Sequence, residues 1–255
     1  MNATGYIYDG TFEGLLTCIY EAYYRHENPV FILESKKYSD GIQGTLFSLL
    51  ESPLRIETDI PKAGRVYNAV EKNISAEAME TIYNVFLSEI PGFELMILEY
   101  VRLGFRTGYD LNKNLQDKRV MDMIRAERKV VFEVHRMHGF LRFQEMPGFF
   151  YAPFEPDHNI TALVTPHFAE RLPDQDFIIH DLGRGIASVC RRGDWFVTSI
   201  EGSVRADFLQ GKGGNIYEDL WKGYFSWASI DERNNPGNQK RQMPKRYWKH
   251  LTEFQ

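Results

Sequence analysis

An α+β fold, with an antiparallel β-sheet packed by helices and a central helical block, is what this sequence of 255 residues predicts. Three observations carry the prediction. Apolar residues recur at helical spacing over residues 11–25 and again over 119–138. After Gly139 the pattern changes to period two, the mark of strands with two unlike faces. A hydrophobic content of 43%, with 14% aromatic residues, is enough to bury a sizeable core.

The elements follow in order. Thr4 to Tyr8 is short and aromatic and reads as a strand, closed by Asp9-Gly10. Phe12, Leu15, Leu16, Ile19 and Tyr20 line one face of a helix over 11–25, with Thr11 as its N-cap and Glu13 in its first turn. Pro29–Leu33 and Arg55–Thr58 are weaker strands. Pro61 to Ile74 is helical, and Ser75 caps a second helix whose face is Met79, Ile82, Tyr83, Phe86 and Ile90. Pro91-Gly92 breaks it. Phe93 to Phe105 is apolar almost all round, which predicts a buried helix.

Residues 119–138 form one stripe of Val120, Met123, Ile124, Val130, Val131, Val134 and Met137, with Gly139 as the residue that ends the helix. Glu127 and His138 fall inside that stripe, and a buried Glu127 needs a partner, such as an arginine of the C-terminal segment. Residues 140–145 and 149–154 make a hairpin around Met146-Pro147-Gly148, and 159–171 is a helix. A second hairpin joins 177–180 to 186–190 through Leu182-Gly183-Arg184-Gly185, and Trp195–Ile200 adds a strand. Asp207–Trp227 holds the loop Gly211-Lys212-Gly213-Gly214 and a helix; the loop lacks the spacing and ending of a P-loop. The expectation is one domain over 1–255, in which 61–118 is a helical block readable as an insertion and 231–255 is a basic C-terminal segment.

Charge is sorted along the chain. From Arg233 to Thr252 there are six cations, Arg233, Lys240, Arg241, Lys245, Arg246 and Lys249, and no acid. The whole chain carries −5, so without those six the remainder is −11. Such a segment attracts a polyanion, and Tyr247 and Trp248 among the cations offer faces on which bases stack. The same two aromatics would equally serve to dock the end of the chain. Two distant cysteines, Cys18 and Cys190, give no disulfide framework and no four-cysteine metal site. They suit a reduced, cytoplasmic protein, with no signal peptide and no membrane span in view.

Three constellations are candidate sites. Glu133, His135, Arg136, His138 and Arg142 sit at the end of the long helix, where charged histidines are favoured and a general base is conceivable. Asp157-His158, His167 and His180-Asp181 gather carboxylates and imidazoles, but their spacing matches no standard metal motif, so no metal is expected; Asp157 is also a natural N-cap. Arg184 at a hairpin tip reads as an exposed cation suited to a phosphate. Catalytic candidates are therefore His135, His138, Asp157 and His158. Nucleic-acid-binding candidates are Arg142, Arg184, Arg233, Lys240, Arg241, Lys245, Arg246, Trp248 and Lys249.

Four segments together, YIYDGTFEGLLTCIYEAYY, EVHRMHGFLRFQE, PDHNITALVTPHFAERLPDQDFIIHDLGRG and RNNPGNQKRQMPKRYWKHL, resemble the "probable DNA metabolism protein" family. The resemblance spans nearly the whole chain. It implies a bacterial DNA-repair or DNA-modification setting, with DNA and a putative radical-SAM DNA-modification protein as partners. In some bacteria the same domain is fused to a domain of the uracil-DNA glycosylase superfamily. The resemblance implies no reaction, no cofactor and no catalytic residues. The expected function is a DNA-binding accessory protein. The alternative is a hydrolase or glycosylase-like enzyme using His, Asp and Arg residues between 133 and 184.

Overall fold

The computed structural model describes residues 4–41, 53–200 and 241–252, and the side chains of 39–41 are not described. Its contacts divide the chain into two compact units, Met1–Val130 and Val131–Gln255. The fold is α+β.

In the first unit, β1 (Gly5–Tyr8) lies between β2 (Phe31–Glu34) and β3 (Leu54–Arg55), and both neighbours run parallel to it. Helix α1 (Phe12–Tyr24) makes the crossover from β1 to β2, which is why these strands pair in parallel. Thr11 caps α1 by accepting the Gly14 N–H. A short α2 (Ser35–Gly41) follows β2. Helix α3 (Ile60–Asn73) is capped by Asp59, and α4 (Ala76–Ser88) by Ser75. Helix α5 (Phe93–Thr107) begins after Pro91-Gly92 and is buried along most of one side, with Phe105 emerging at its end. Gly104 of α5 is a close-packing position, since a Cβ there would stand 2.3 Å from Ile74. Tyr6, Leu15, Ile32, Val70, Ile82, Ile97 and Val101 share the core of this unit.

Helix α6 (Lys118–Phe140) is the longest, and the division between the units falls within it. It runs past Gly139 to Phe140, so Gly139 does not end it. Its buried face is Ala126, Val130, Glu133 and Met137, whereas Val131 is 49% exposed. The predicted stripe thus holds at Val130 and Met137 and fails at Val131. Glu127 accepts from Thr81 Oγ1 and Asn84 Nδ2, both at 3.2 Å, and not from a C-terminal arginine.

In the second unit, β4 (Gln144–Met146) and β5 (Phe149–Phe154) form the expected hairpin. Gly148 supplies the positive φ, 88°, that its two-residue turn requires. Helix α7 (Thr161–Arg171) then crosses over to β6 (Phe177–Asp181), which is parallel to β5. Strands β7 (Ile186–Arg191) and β8 (Asp194–Ser199) complete an order β4-β5-β6-β7-β8 by antiparallel pairing. The sheet is mostly antiparallel, as expected, with one parallel pair, β5–β6. Residue patterning marks strands but not the direction in which they pair, and here the helical crossover sets it. Phe143 packs edge-on against Phe168 of α7 and Phe177 of β6, knitting helix to sheet. The loop and helix expected over Asp207–Trp227 lie outside the described residues.

Candidate functional site

The second unit gathers its polar residues around the loop 155–158, at the carboxyl ends of the parallel strands β5 and β6. Ligands of parallel sheets are commonly held at such ends. The loop hangs on Glu133, which is only 2% exposed. Glu133 Oε1 accepts the Asp157 N–H at 2.8 Å, and Oε2 accepts the His158 N–H at 2.9 Å. The Tyr247 hydroxyl, 114 residues away in sequence, donates to Glu133 Oε1. A buried carboxylate is tolerable only with such partners, and charge-assisted bonds of this kind are strong. Burial first, and then the Glu133 carboxylate, pushes the Tyr247 phenol well above its ordinary pKa, so it remains a donor.

Tyr247 belongs to a 3-10 turn, Lys245–His250, which it pins in place. Arg246 donates to the Tyr247 hydroxyl at 2.9 Å and pairs with Asp157 at 2.5 Å. Lys249 pairs with Glu155, also at 2.5 Å, and the ammonium holds the Glu155 carboxyl below the usual carboxylate range. His250 Nε2 stands 3.5 Å from Glu155, within ion-pair reach but too far for a well-formed hydrogen bond. Burial prevails there and pushes its pKa down. Lys245 lies 5.7 Å from the centroid of the Trp248 ring, and Trp248 Nε1 donates to the Met243 carbonyl. Arg241 is exposed, while Arg233 and Lys240 lie outside the described residues.

Arg184 is not the exposed hairpin-tip cation that its position in sequence suggests. It pairs at 2.9 Å with Asp181, which is fully buried, and donates to the carbonyls of Pro156 and Asp157. It is a brace for the loop. Asp157 is not an N-cap either: α7 begins after Ile160 with no side-chain cap, and the Asp157 carboxylate is turned to Arg246. Asp157, His158, Arg184, Arg246 and Lys249 are therefore brought around one loop.

The remaining candidates stand apart from it. His135 is exposed on α6. His138 is turned inward and stacks on His167 with ring centroids 4.1 Å apart. Burial, then His167, lowers its pKa, so it is neutral at pH 7. No hydrogen bond or ion pair among the described residues joins either histidine to the loop. Arg142 Nη1 donates to the carbonyls of Gly139 and Leu141 and so closes the C-terminus of α6. Among the described residues no group of three or more His, Cys, Asp or Glu side chains is placed to hold a metal ion. None of the helices described is long and apolar enough to cross a membrane.

One residue of this arrangement, Glu155, escapes the sequence candidates and has no distinguishing context in sequence. Glu133 belongs to the first constellation, and it falls in phase with Ala126, Val130 and Met137 on the buried face of α6.

Residues 91–253 match the model of a domain of unknown function, DUF4130. The chain belongs to the DUF4130 family. The DUF4130 region takes in α5, α6, the five-stranded sheet and the Tyr247 turn; β1–β3 and α1–α4 precede it. No curated protein and no solved structure matches the chain.

Proposed function

We propose that this DUF4130 protein is a DNA-binding accessory protein in bacterial DNA repair or modification, acting with a radical-SAM or uracil-DNA-glycosylase-like partner. The observation that carries the reading is the Tyr247-pinned turn. With Arg241 just before it, it presents Lys245, Arg246 and Lys249, and the nearby carboxylates among the described residues are Asp157, Glu155 and the buried Glu133, a local balance of +1 on a chain of −5. The Arg246 and Lys249 side chains stay 48% and 54% exposed within their ion pairs. Surface pairs of this kind are held by only about 0–1 kcal/mol, so a phosphate can replace the carboxylate. Lys245 and Trp248 add a cation beside a ring on which a base can stack. The choice of partner rests on the sequence resemblance alone.

The pairing of Arg246 and Lys249 makes this surface less cationic than six lysines and arginines in sequence suggest, so binding is expected to be moderate and strongly salt-dependent. Among the described residues no observation favours the enzymatic alternative. Glu133 is held by three donors, Asp157 by Arg246 and His138 by its stack on His167, so no base and nucleophile face one another among them. The test is fluorescence anisotropy with labelled duplex and single-stranded DNA at two salt concentrations. Binding at low salt that weakens at high salt is the expected result. No binding at low salt, with the chain alone or with its partner, rejects the proposal.

A further inference from the structure

The first unit carries a second feature, independent of the C-terminal cations. Helices α1, α3 and α5 enclose a groove of about 500 Å³. A second compartment of about 510 Å³ adjoins it and shares Tyr23, Arg102 and Phe105. Cavities of roughly 300–1,000 Å³ are the size that small ligands occupy. The floor of the first compartment is apolar and belongs to the core, through Ile19, Val66, Leu98 and Val101. Its wall is aromatic: Tyr23 and Phe105 stand with ring centroids 6.1 Å apart and are 64% and 36% exposed.

The polar groups at this compartment are Arg65, Asn73, Arg102 and the Tyr20 and Tyr23 hydroxyls, and no carboxylate lines it among the described residues. Arg65 is exposed; its one bond is a long one to the Tyr20 hydroxyl, 3.4 Å, and it forms no ion pair among the described residues. Arg102 is fixed by Glu99 and the Glu27 carbonyl. Asn73 donates one amide N–H to the Ala69 carbonyl, which leaves its second N–H and its carbonyl oxygen to read a polar edge. Glu27 and Glu99 line only the second compartment, and both already have partners, in Tyr6 and Arg102.

We infer that this groove binds a nucleotide unit, its base against Tyr23 and Phe105 and its phosphate on Arg65. An exposed aromatic wall over an apolar floor suits a planar base, an amide suits a base edge, and an unpaired guanidinium suits a phosphate. The nucleotide is either free or part of an unpaired strand, and the two sources share this chemistry.

The full chain is titrated calorimetrically with dTMP and dAMP, with deoxyribose 5-phosphate as the baseless control. A labelled oligothymidylate of roughly ten nucleotides is followed by anisotropy, with free nucleotide as competitor. Tyr23→Ala and Arg65→Ala are expected to weaken binding about tenfold each, and Tyr23→Phe to retain it, since the stacking face is kept. Both residues are exposed, and circular dichroism checks that the variants fold. Nucleotide binding without competition from the strand assigns the free source; strand binding that Tyr23→Ala weakens assigns the strand. Absence of binding by both, equal binding of the baseless sugar phosphate, or insensitivity to both alanine variants overturns the inference. Strand binding lost with Lys245→Ala but untouched by Tyr23→Ala overturns it while leaving the proposed function standing.

Discussion

Removing one hydroxyl, by Tyr247→Phe, tests how the C-terminal turn is held. Tyr247 is 4% exposed and Glu133 2%, so their bond is shielded from water. The substitution keeps the ring and its packing against Phe140, and deletes only the donor to Glu133 and the acceptor for Arg246. A hydrogen bond to a charged group contributes about 1.5–3 kcal/mol. Glu133 keeps two backbone donors after the change, so the expected loss is about 2 kcal/mol. All four tryptophans, Trp195, Trp221, Trp227 and Trp248, fall after Val130 in the sequence, so tryptophan fluorescence in urea reads that part of the chain. Glu133→Gln, which turns an amide toward at least one N–H donor, is expected to cost about 3 kcal/mol or more, because it leaves a buried donor unmatched. The double variant then shows a coupling of about 1–2 kcal/mol, since one bond is counted in both single changes. A Tyr247→Phe loss under about 0.5 kcal/mol, or full additivity with Glu133→Gln, would refute the anchoring role.

Other perturbations have different signatures. Arg246→Ala and Lys249→Ala each remove a half-exposed surface pair, so stability falls by no more than about 1 kcal/mol while DNA affinity falls several-fold; urea unfolding and anisotropy on the same samples separate the two. Glu94 is 3% exposed, and burial raises its pKa to about 7. The folded chain then binds a proton that the unfolded chain has already lost, so this carboxyl withdraws stability as pH rises from about 4.5 to about 7, by a total of about 3 kcal/mol. Glu94→Gln should abolish that decline, as read by urea unfolding at about pH 5 and about pH 8; an unchanged slope contradicts it. His138 titrates in the opposite sense: its folded pKa lies below the unfolded value, so it contributes to loss of stability as pH falls below about 6.5. His138→Phe, which keeps a ring against His167, should leave the second unit less acid-sensitive, and equal acid midpoints would count against the assignment.

What was legible in the sequence was mostly local. Thr11 and Ser75 announce helix starts because their side chains satisfy N–H groups three residues ahead, a requirement that any helix of this kind shares. Pro147-Gly148 announces a turn because few residue pairs accept its backbone angles. Gly139 misleads because glycine permits a helix to stop without compelling it; Arg142, three residues on, supplies the bonds that close α6. On α6 the sequence misleads at Val131, which looks like core, and at Glu133, which does not. The reward for burying Glu133 comes from Tyr247, far outside any local window. Arg184 is misread for the same kind of reason. A cation at a glycine-flanked tip looks free, but Asp181 points inward and the Pro156 and Asp157 carbonyls arrive from another connection. The site candidates that converge do so because loops at one end of a parallel strand pair meet, and that pairing is not written in residue periodicity.

The most direct test of the account is the salt dependence of DNA binding by the native chain and by Arg241→Ala and Lys245→Ala, read as the slope of log affinity against log salt. If these cations meet phosphates, each substitution flattens the slope by about 0.7–0.9 and weakens affinity across all sequences alike. Identical slopes for the native chain and both variants would contradict the claim that this C-terminal segment is where the DNA backbone is held.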